Sequence, residues 1–488
     1  MGITPNRPFK LTRGRFLDKV HSNLRKGTEV LMLLEIPVRV KNFYSKHLSP
    51  TRIFVLSFAV VILTGAIFLW FPFSATKGQL RFVDTLFTST SAVCVTGLVV
   101  VDTGKDLSMM GQVITLFLIQ IGGLGIITFS TVFFILMGRG ISFKGREIVQ
   151  TTFLHTPTRN FFVVLKSVLW FTFIAEALGT LFLFIRFSLD LPLGTAAYHA
   201  LYHAISAFNN AGFSLFSNSF IAYQGDLIIN LTIMGLIVHG GVGFIVQYEI
   251  LSKLRGIQKR LSVHTKIVLI TTAILILSGA ILFYIFERNH IIKDTPMVTQ
   301  MLASLFQSVT PRTAGFNTVD IGLLTNATIL LMLVLMFIGA SPGSTGGGVK
   351  TTSAALLLLM IWNRFKGNED VNVFNRTIPK EIVSRSVSII FASAFSVAII
   401  TSVLLIAGGG HPMESRRFFV EYLFETVSAF GTVGLSMGVT PKLSDIQKIA
   451  MILMMFVGRV GPLTLAFSLS RARVKEGLTY AEEGVMVG

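Results

Sequence analysis

Four short stretches of this 488-residue chain place a glycine before a large apolar residue: Val95-Thr96-Gly97-Leu98, Asn210-Ala211-Gly212-Phe213, Thr313-Ala314-Gly315-Phe316 and Thr432-Val433-Gly434-Leu435. None carries a charge, so the chemistry they offer is that of the peptide backbone. Glycine permits dihedrals that a Cβ forbids, and such a turn can aim successive carbonyls in one direction. Carbonyl oxygens converging from several sides replace the water around a dehydrating cation. The glycines recur at intervals of 115, 103 and 119 residues, which marks internal repetition. Each closes an amphipathic or apolar segment, at 82–99, 198–214, 298–317 and 420–436. A short helix there would point the negative end of its dipole at the turn and favour a cation.

Two further features belong with the turns. Residues Gly339, Ala340, Ser341, Pro342, Gly343, Ser344, Thr345, Gly346, Gly347 and Gly348 interrupt an apolar run. Glycine costs roughly 1 kcal/mol per helical position and proline about 3, so this stretch cannot be an ordinary helix. It needs other hydrogen-bond partners, water in a cavity being one source and a packing kink the plainer alternative. Arg459 lies inside another apolar run and must face water or a partner, because a charge at mid-membrane is expensive.

The elements that position these groups follow from composition. The chain is 52% hydrophobic and 14% charged, against roughly 25% charged in a soluble domain. That excludes a disordered chain and argues against a soluble multi-domain enzyme. Eight stretches are apolar enough to cross a membrane: 53–70, 110–137, 162–187, 227–251, 267–286, 328–362, 382–407 and 446–469. Residues 1–52 hold eleven Lys and Arg against Asp18, Glu29 and Glu35. The segments after the second, fourth, sixth and eighth spans are basic too, so both termini are expected in the cytoplasm. The net charge of +18 then reflects membrane orientation, not nucleic acid binding. Cys94 alone cannot form an internal disulfide.

The expected fold is therefore an all-α polytopic membrane protein, with four pseudo-repeats of helix, pore loop and helix around one central pore. The segments are a basic N-terminal stretch (1–50), repeat 1 (51–140), repeat 2 (160–252), repeat 3 (262–363, with the loop at 339–349), repeat 4 (380–470) and a tail (471–488). The glycine-rich sequences 119–125, 237–243, 337–343 and 456–462 recur in the second helix of each unit.

Thr432-Val433-Gly434-Leu435 resembles the start of the potassium-channel filter TVGYG, and the layout over residues 50–470 resembles the Trk/Ktr/HKT superfamily of potassium transporters. The two extra N-terminal spans of Trk proteins are not expected ahead of the first apolar run, so the resemblance is strongest to the Ktr membrane subunits. The resemblance implies an ion path through backbone oxygens at Val95, Thr96, Gly97, Asn210, Ala211, Gly212, Thr313, Ala314, Gly315, Thr432, Val433 and Gly434. It implies potassium preference, since sodium-selective plant relatives replace the first glycine by serine. A sodium-permeable or sodium-coupled transporter is the alternative within the superfamily. The resemblance makes residues 339–348 the gate under the filter, with Arg459 pointing into the pore as a barrier. It implies a homodimer with one pore per protomer, in the plasma membrane. A cytoplasmic ring of RCK-type regulator (KtrA- or KtrC-like) would bind the nucleotide. This chain itself would hold no cofactor, carrying potassium as its transported ion, with sodium a candidate activator.

Other polar groups are read more plainly. Glu176 is expected in a buried helix–helix hydrogen bond and His239 in a polar packing contact. Asn209 would brace the second turn, and Arg312 would brace the third or sit at its mouth. Asp84 and Glu425, in the pore helices, either attract cations or brace. Cys94 packs beside the first turn. The basic N-terminal segment would meet either anionic lipid or the regulator. An unrelated secondary transporter would show two inverted halves, not four like units. A membrane enzyme would need clustered intramembrane His, Asp or Glu.

Overall fold

The computed structural model describes residues 50–125, 161–408 and 412–469. The basic N-terminal stretch, the end of the second span and the C-terminal tail lie outside them. The described chain is an all-α polytopic membrane protein with one small hairpin. Fifteen α-helices follow in order among the described residues. Repeat 1 holds α1 (Pro50–Trp70), α2 (Phe82–Val93) and α3 (Met109–Gly123). Repeat 2 holds α4 (Phe161–Phe187), α5 (Leu193–Phe208), α6 (Leu227–Val242) and α7 (Phe244–Leu254). Repeat 3 holds α8 (Val263–Glu287), α9 (Met297–Val309), α10 (Asn326–Phe337) and α11 (Thr351–Phe365). The hairpin β1 (Val371–Val373) and β2 (Arg376–Ile378) leads into repeat 4, which holds α12 (Lys380–Gly408), α13 (Pro412–Gly431), α14 (Asp445–Val460) and α15 (Pro462–Leu469).

Each repeat begins with a long helix whose central turns are apolar on every side. In α1 the exposed Leu56, Val60, Leu63 and Ile67 form one stripe, and the buried Phe58, Ile62, Ala66 and Leu69 form another. The polarity is inverted relative to a soluble protein, because lipid is the outer solvent. In α2 the hydroxyl-bearing Thr85, Thr88, Ser89, Thr90 and Ser91 are buried alongside Phe87, Ala92 and Val93.

The second helix of each repeat starts at a capped residue. Ser108 accepts from Gly111 N at 3.2 Å and Asp226 from Ile229 N at 2.9 Å. Thr325 and Ser444 accept from Thr328 N and Gln447 N, each at 3.4 Å. Such caps satisfy backbone donors that the first turn leaves unpaired.

The spans expected at 227–251 and 446–469 are not continuous helices. The first breaks at Gly243 (φ +99°) and bends by 97°. The second breaks at Gly461 (φ +91°). The expected span at 328–362 breaks between α10 and α11, as its composition required. Among the described residues, Ser167–Phe187, α8 and α12 are each long and apolar enough to cross a membrane unbroken.

Packing between repeats is cyclic. The second helix of each unit lies against the pore helix of the next: α3 on α5, α6 on α9, α10 on α13, and α14 back on α2. A buried ion pair marks the closing seam, with Lys448 Nζ donating to Asp84 Oδ1 at 2.6 Å.

Candidate functional site

The pore helices α2, α5, α9 and α13 end on four turns of one backbone shape. The first residue of each turn has positive φ (Val95 +58°, Asn210 +58°, Thr313 +71°, Thr432 +49°), and so does the glycine two places on (Gly97 +89°, Gly212 +69°, Gly315 +79°, Gly434 +92°). Non-glycine residues at positive φ are uncommon, so four at equivalent places mark a single imposed geometry.

The turns form a closed ring. A Cβ on Gly97 would stand 2.5 Å from the Ala211 carbonyl oxygen, and one on Gly212 would stand 2.8 Å from that of Ala314. A Cβ on Gly315 would collide with the Val433 oxygen, and one on Gly434 with the Thr96 oxygen. Each glycine thus lies under the carbonyl that precedes the next glycine around the ring. The Gly315 side of this ring is also within 3.1 Å of Gly212 Cα and 3.2 Å of Gly434 Cα, measured from the same Cβ position. Val95, Thr96, Asn210, Ala211, Thr313, Ala314, Thr432 and Val433 are all fully buried. The twelve residues expected along one path are therefore brought together.

Hydroxyl groups that the sequence reading passed over hold the turns. Gly97 N and Gly434 N each donate to a serine hydroxyl, Ser91 and Ser428, at 3.0 Å. Ser206 donates its hydroxyl to Phe213 O at 2.8 Å, and Thr310 to Phe316 O at 2.5 Å. The available signal was a serine six residues before three of the four glycines. The third turn differs because its chain closes sooner. Ala314 N donates to Thr310 O, four residues back, whereas Thr96, Ala211 and Val433 reach five back to Ser91, Ser206 and Ser428.

A second tier fixes the segments beyond the glycines. Glu425 accepts from Ser436 Oγ (2.6 Å), Met437 N (3.0 Å) and Thr440 Oγ1 (2.6 Å). His203 accepts at Nε2 from Leu215 N (3.3 Å) and donates Nδ1–H to His199 O (2.8 Å). Glu425 therefore braces the fourth turn, and the Asp84 carboxylate is taken by Lys448. Glu425→Ala would strand three donors, a loss on the order of 3 kcal/mol at about 1 kcal/mol each. Thermal unfolding of the detergent-solubilised protein should show a clearly lower midpoint, with a smaller drop for Glu425→Gln. An unchanged midpoint would remove Glu425 from this role.

The other polar expectations resolve as packing. Asn209 donates to Gln120 Oε1 (2.8 Å) and to Glu176 Oε1 (3.2 Å), tying α5 to α3 and α4. Arg312 is buried, and its Nη2 donates to Thr272 Oγ1 of α8 at 3.2 Å, so it braces. His239 packs by the Phe208 ring, and Cys94 is buried at the end of α2.

The glycine-rich loop lies directly against the ring. Gly347 N donates to Thr432 Oγ1 at 3.0 Å, and a Cβ on Gly346 would overlap the Thr313 hydroxyl. Only glycine allows that approach. The loop's own backbone groups are paired with the interrupted helices around it. Ser341 N and Thr345 N donate to Gly241 O (3.0 Å) and Gly240 O (3.2 Å), Phe244 N to Gly343 O (2.9 Å), and Gly348 N to Gly458 O (3.3 Å). Ala340 and Ser344 are buried, Ser344 donating to Ser341 O at 2.7 Å, and Pro342 O faces Gly243. Gly339 N donates to Val349 O at 2.8 Å, closing the neck of the loop.

Two cations hold three further carbonyls of the loop, those of Thr345, Gly346 and Gly347. Arg459 donates to Thr345 O and Gly122 O, and to Gly123 O at 3.4 Å, so it joins repeat 4, the loop and repeat 1. Lys350 Nζ donates to Gly346 O (2.7 Å) and Gly347 O (3.4 Å), a contact the sequence reading did not assign.

Comparison with known proteins follows this geometry. Residues 39–475 match the TrkH family model, described as a cation transport protein. The chain is 39% identical to Ktr system potassium uptake protein B of Vibrio alginolyticus, over 90% of its length and 94% of that protein's. It is 36% identical to potassium/sodium uptake protein NtpJ of Enterococcus hirae, over 92% and 99%. The crystal structure of the potassium transporter TrkH from Vibrio parahaemolyticus is similar in fold, with a TM-score of 0.64 at 21% identity over 86% of this chain and 84% of that one.

Proposed function

The chain belongs to the TrkH family of cation transport proteins and is a transporter, not an enzyme, and from that membership we propose that it takes up potassium through the ring of glycine turns. The observation that carries this reading is the ring itself, in which Thr96, Ala211, Ala314 and Val433 each present a carbonyl to the neighbouring glycine. A ring of backbone carbonyls substitutes for the hydration shell of a cation. Four helix C-termini directed at the ring add negative potential. Uptake runs down the electrochemical gradient, gaining about 2.3 kcal/mol per elementary charge per 100 mV.

The loop 339–348 is the gate in this reading. It seats Gly346 and Gly347 under the ring, and its carbonyls are taken by the tethered cations Arg459 and Lys350. Those cations compete with a passing ion and hold the closed state. A regulator that displaces the loop opens the path. The relatives named for the Ktr system support a multi-component assembly; in this reading it is a homodimer on a cytoplasmic RCK-type ring, and the basic segments put both termini on that side of the plasma membrane. The relative named for potassium and sodium supports sodium permeation or coupling as the second reading.

Growth of a bacterium lacking its own potassium uptake, in potassium-limited medium, tests the proposal. Expression of this chain with an RCK-type subunit should restore growth, and the chain alone should restore it poorly. Failure of both, with the protein present in the membrane, would refute potassium uptake. Growth that depends on sodium would favour the second reading.

A further inference from the structure

The path described above leaves unused a groove of about 780 Å³ between α4 and α6. Leu178 and Phe182 form one wall and Leu231 and Gly235 the other, with His239 and Arg255 also lining it. The 97° turn at Gly243 swings α7 away from the line of α6, and the chain at the end of α7 brings Arg255 to the groove.

Two independent observations point to an occupant. The first is Gly235. Glycine weakens a helix interior, and a close helix crossing is the usual compensation. Gly179 on the opposite wall has one, since a Cβ there would stand 2.6 Å from Leu236 Cδ1. Among the described residues, a Cβ on Gly235 would meet no atom within 4 Å outside its own helix and chain neighbours, so its missing side chain only enlarges the groove. The second is charge. Lys253, Arg255, Lys259 and Arg260 fall within eight residues that contain no acid. Leu254 and Ile257, interleaved with them, are 79% and 75% exposed. Basic side chains alternating with exposed apolar ones suit the boundary between headgroups and acyl chains.

We propose that this groove holds one acyl chain of an anionic phospholipid, with the phosphate of its headgroup at Arg255. The groove opens between two membrane helices, so lipid is the molecule that reaches it. The open floor at Gly235 admits the chain, and Arg255 selects the charge. The site goes beyond ion passage and does not depend on it.

Photolabelling tests the site without reference to transport. The full-length protein is placed in phosphatidylcholine nanodiscs with a trace of phosphatidylglycerol bearing a diazirine on one acyl chain, or the same trace of diazirine phosphatidylcholine. Peptides from α4 and α6 should take up the phosphatidylglycerol label about fivefold more strongly, the factor one basic side chain supplies at an anionic surface. Arg255→Gln, on an exposed residue, should abolish that preference. Gly235→Leu should reduce labelling by both lipids, because its Cβ enters open space and the rest of the side chain extends into the groove. Equal labelling of the native protein by both lipids overturns the proposal with no variant needed. So does labelling that ignores Gly235→Leu. If Phe182→Cys cross-links to a second copy while both lipids are excluded, another protomer covers this face and the proposal fails.

Discussion

Gly97→Ser is expected to lower the potassium-to-sodium permeability ratio by about tenfold or more. Gly97 has φ +89°, where an L-residue is strained by roughly 1–2 kcal/mol. Its new Cβ would also stand 2.5 Å from the Ala211 carbonyl oxygen. That oxygen is backbone, so it can yield only by moving the second turn. The ring would relax by shifting one of its four carbonyls, and the field that separates two ions of like charge would become uneven. Gly434→Ser should do at least as much, because its Cβ would collide with the Thr96 oxygen outright. Reversal potentials under bi-ionic conditions in reconstituted bilayers measure the ratio. A native ratio in both variants would dissociate selectivity from these turns.

Arg459→Ala should raise potassium flux in vesicles that lack the regulator. The guanidinium donates to Thr345 O in the loop and to Gly122 O in repeat 1, in a site excluded from water. A hydrogen bond to a charged donor contributes roughly 1.5–3 kcal/mol, so losing the loop contact shifts opening by on the order of tenfold to a hundredfold. Arg459→Lys should fall between, because one ammonium cannot span two separated carbonyls as a fork does. Shortening the loop 339–348 should act in the same direction. Flux that is unchanged by all three variants would mean that the loop does not limit passage.

Much of the architecture is carried by local signals. The first helix of each repeat is legible because lipid demands an unbroken apolar run, and the TVGL and AGF turns are legible because glycine at fixed places is costly elsewhere. The break after α10 announces itself by composition. The breaks at Gly243 and Gly461 are marked only by the glycine-rich stretches 237–243 and 456–462 with Pro462, which recur in all four units and do not by themselves say whether the helix bends or packs closely there. Ser91, Ser206 and Ser428 share a position relative to glycine, yet a serine in a polar-faced helix looks unremarkable until its partner is known. The same holds for Glu425, whose carboxylate reads equally well as a cation attractor until Ser436, Met437 and Thr440 are seen to occupy it.

By itself the sequence determined that the chain lives in lipid, repeats one unit four times and interrupts its helices where backbone must be exposed. These are consequences of hydropathy and of glycine and proline chemistry, which act over a few neighbouring residues. Only the tertiary structure decided that each glycine sits under the next turn's carbonyl, that Gly346 and Gly347 press on Thr313 and Thr432, and that Arg459 reaches Gly122, 337 residues away. Contacts of that range depend on how four units close on one another, and a periodic pattern specifies the units without specifying which oxygen faces which neighbour.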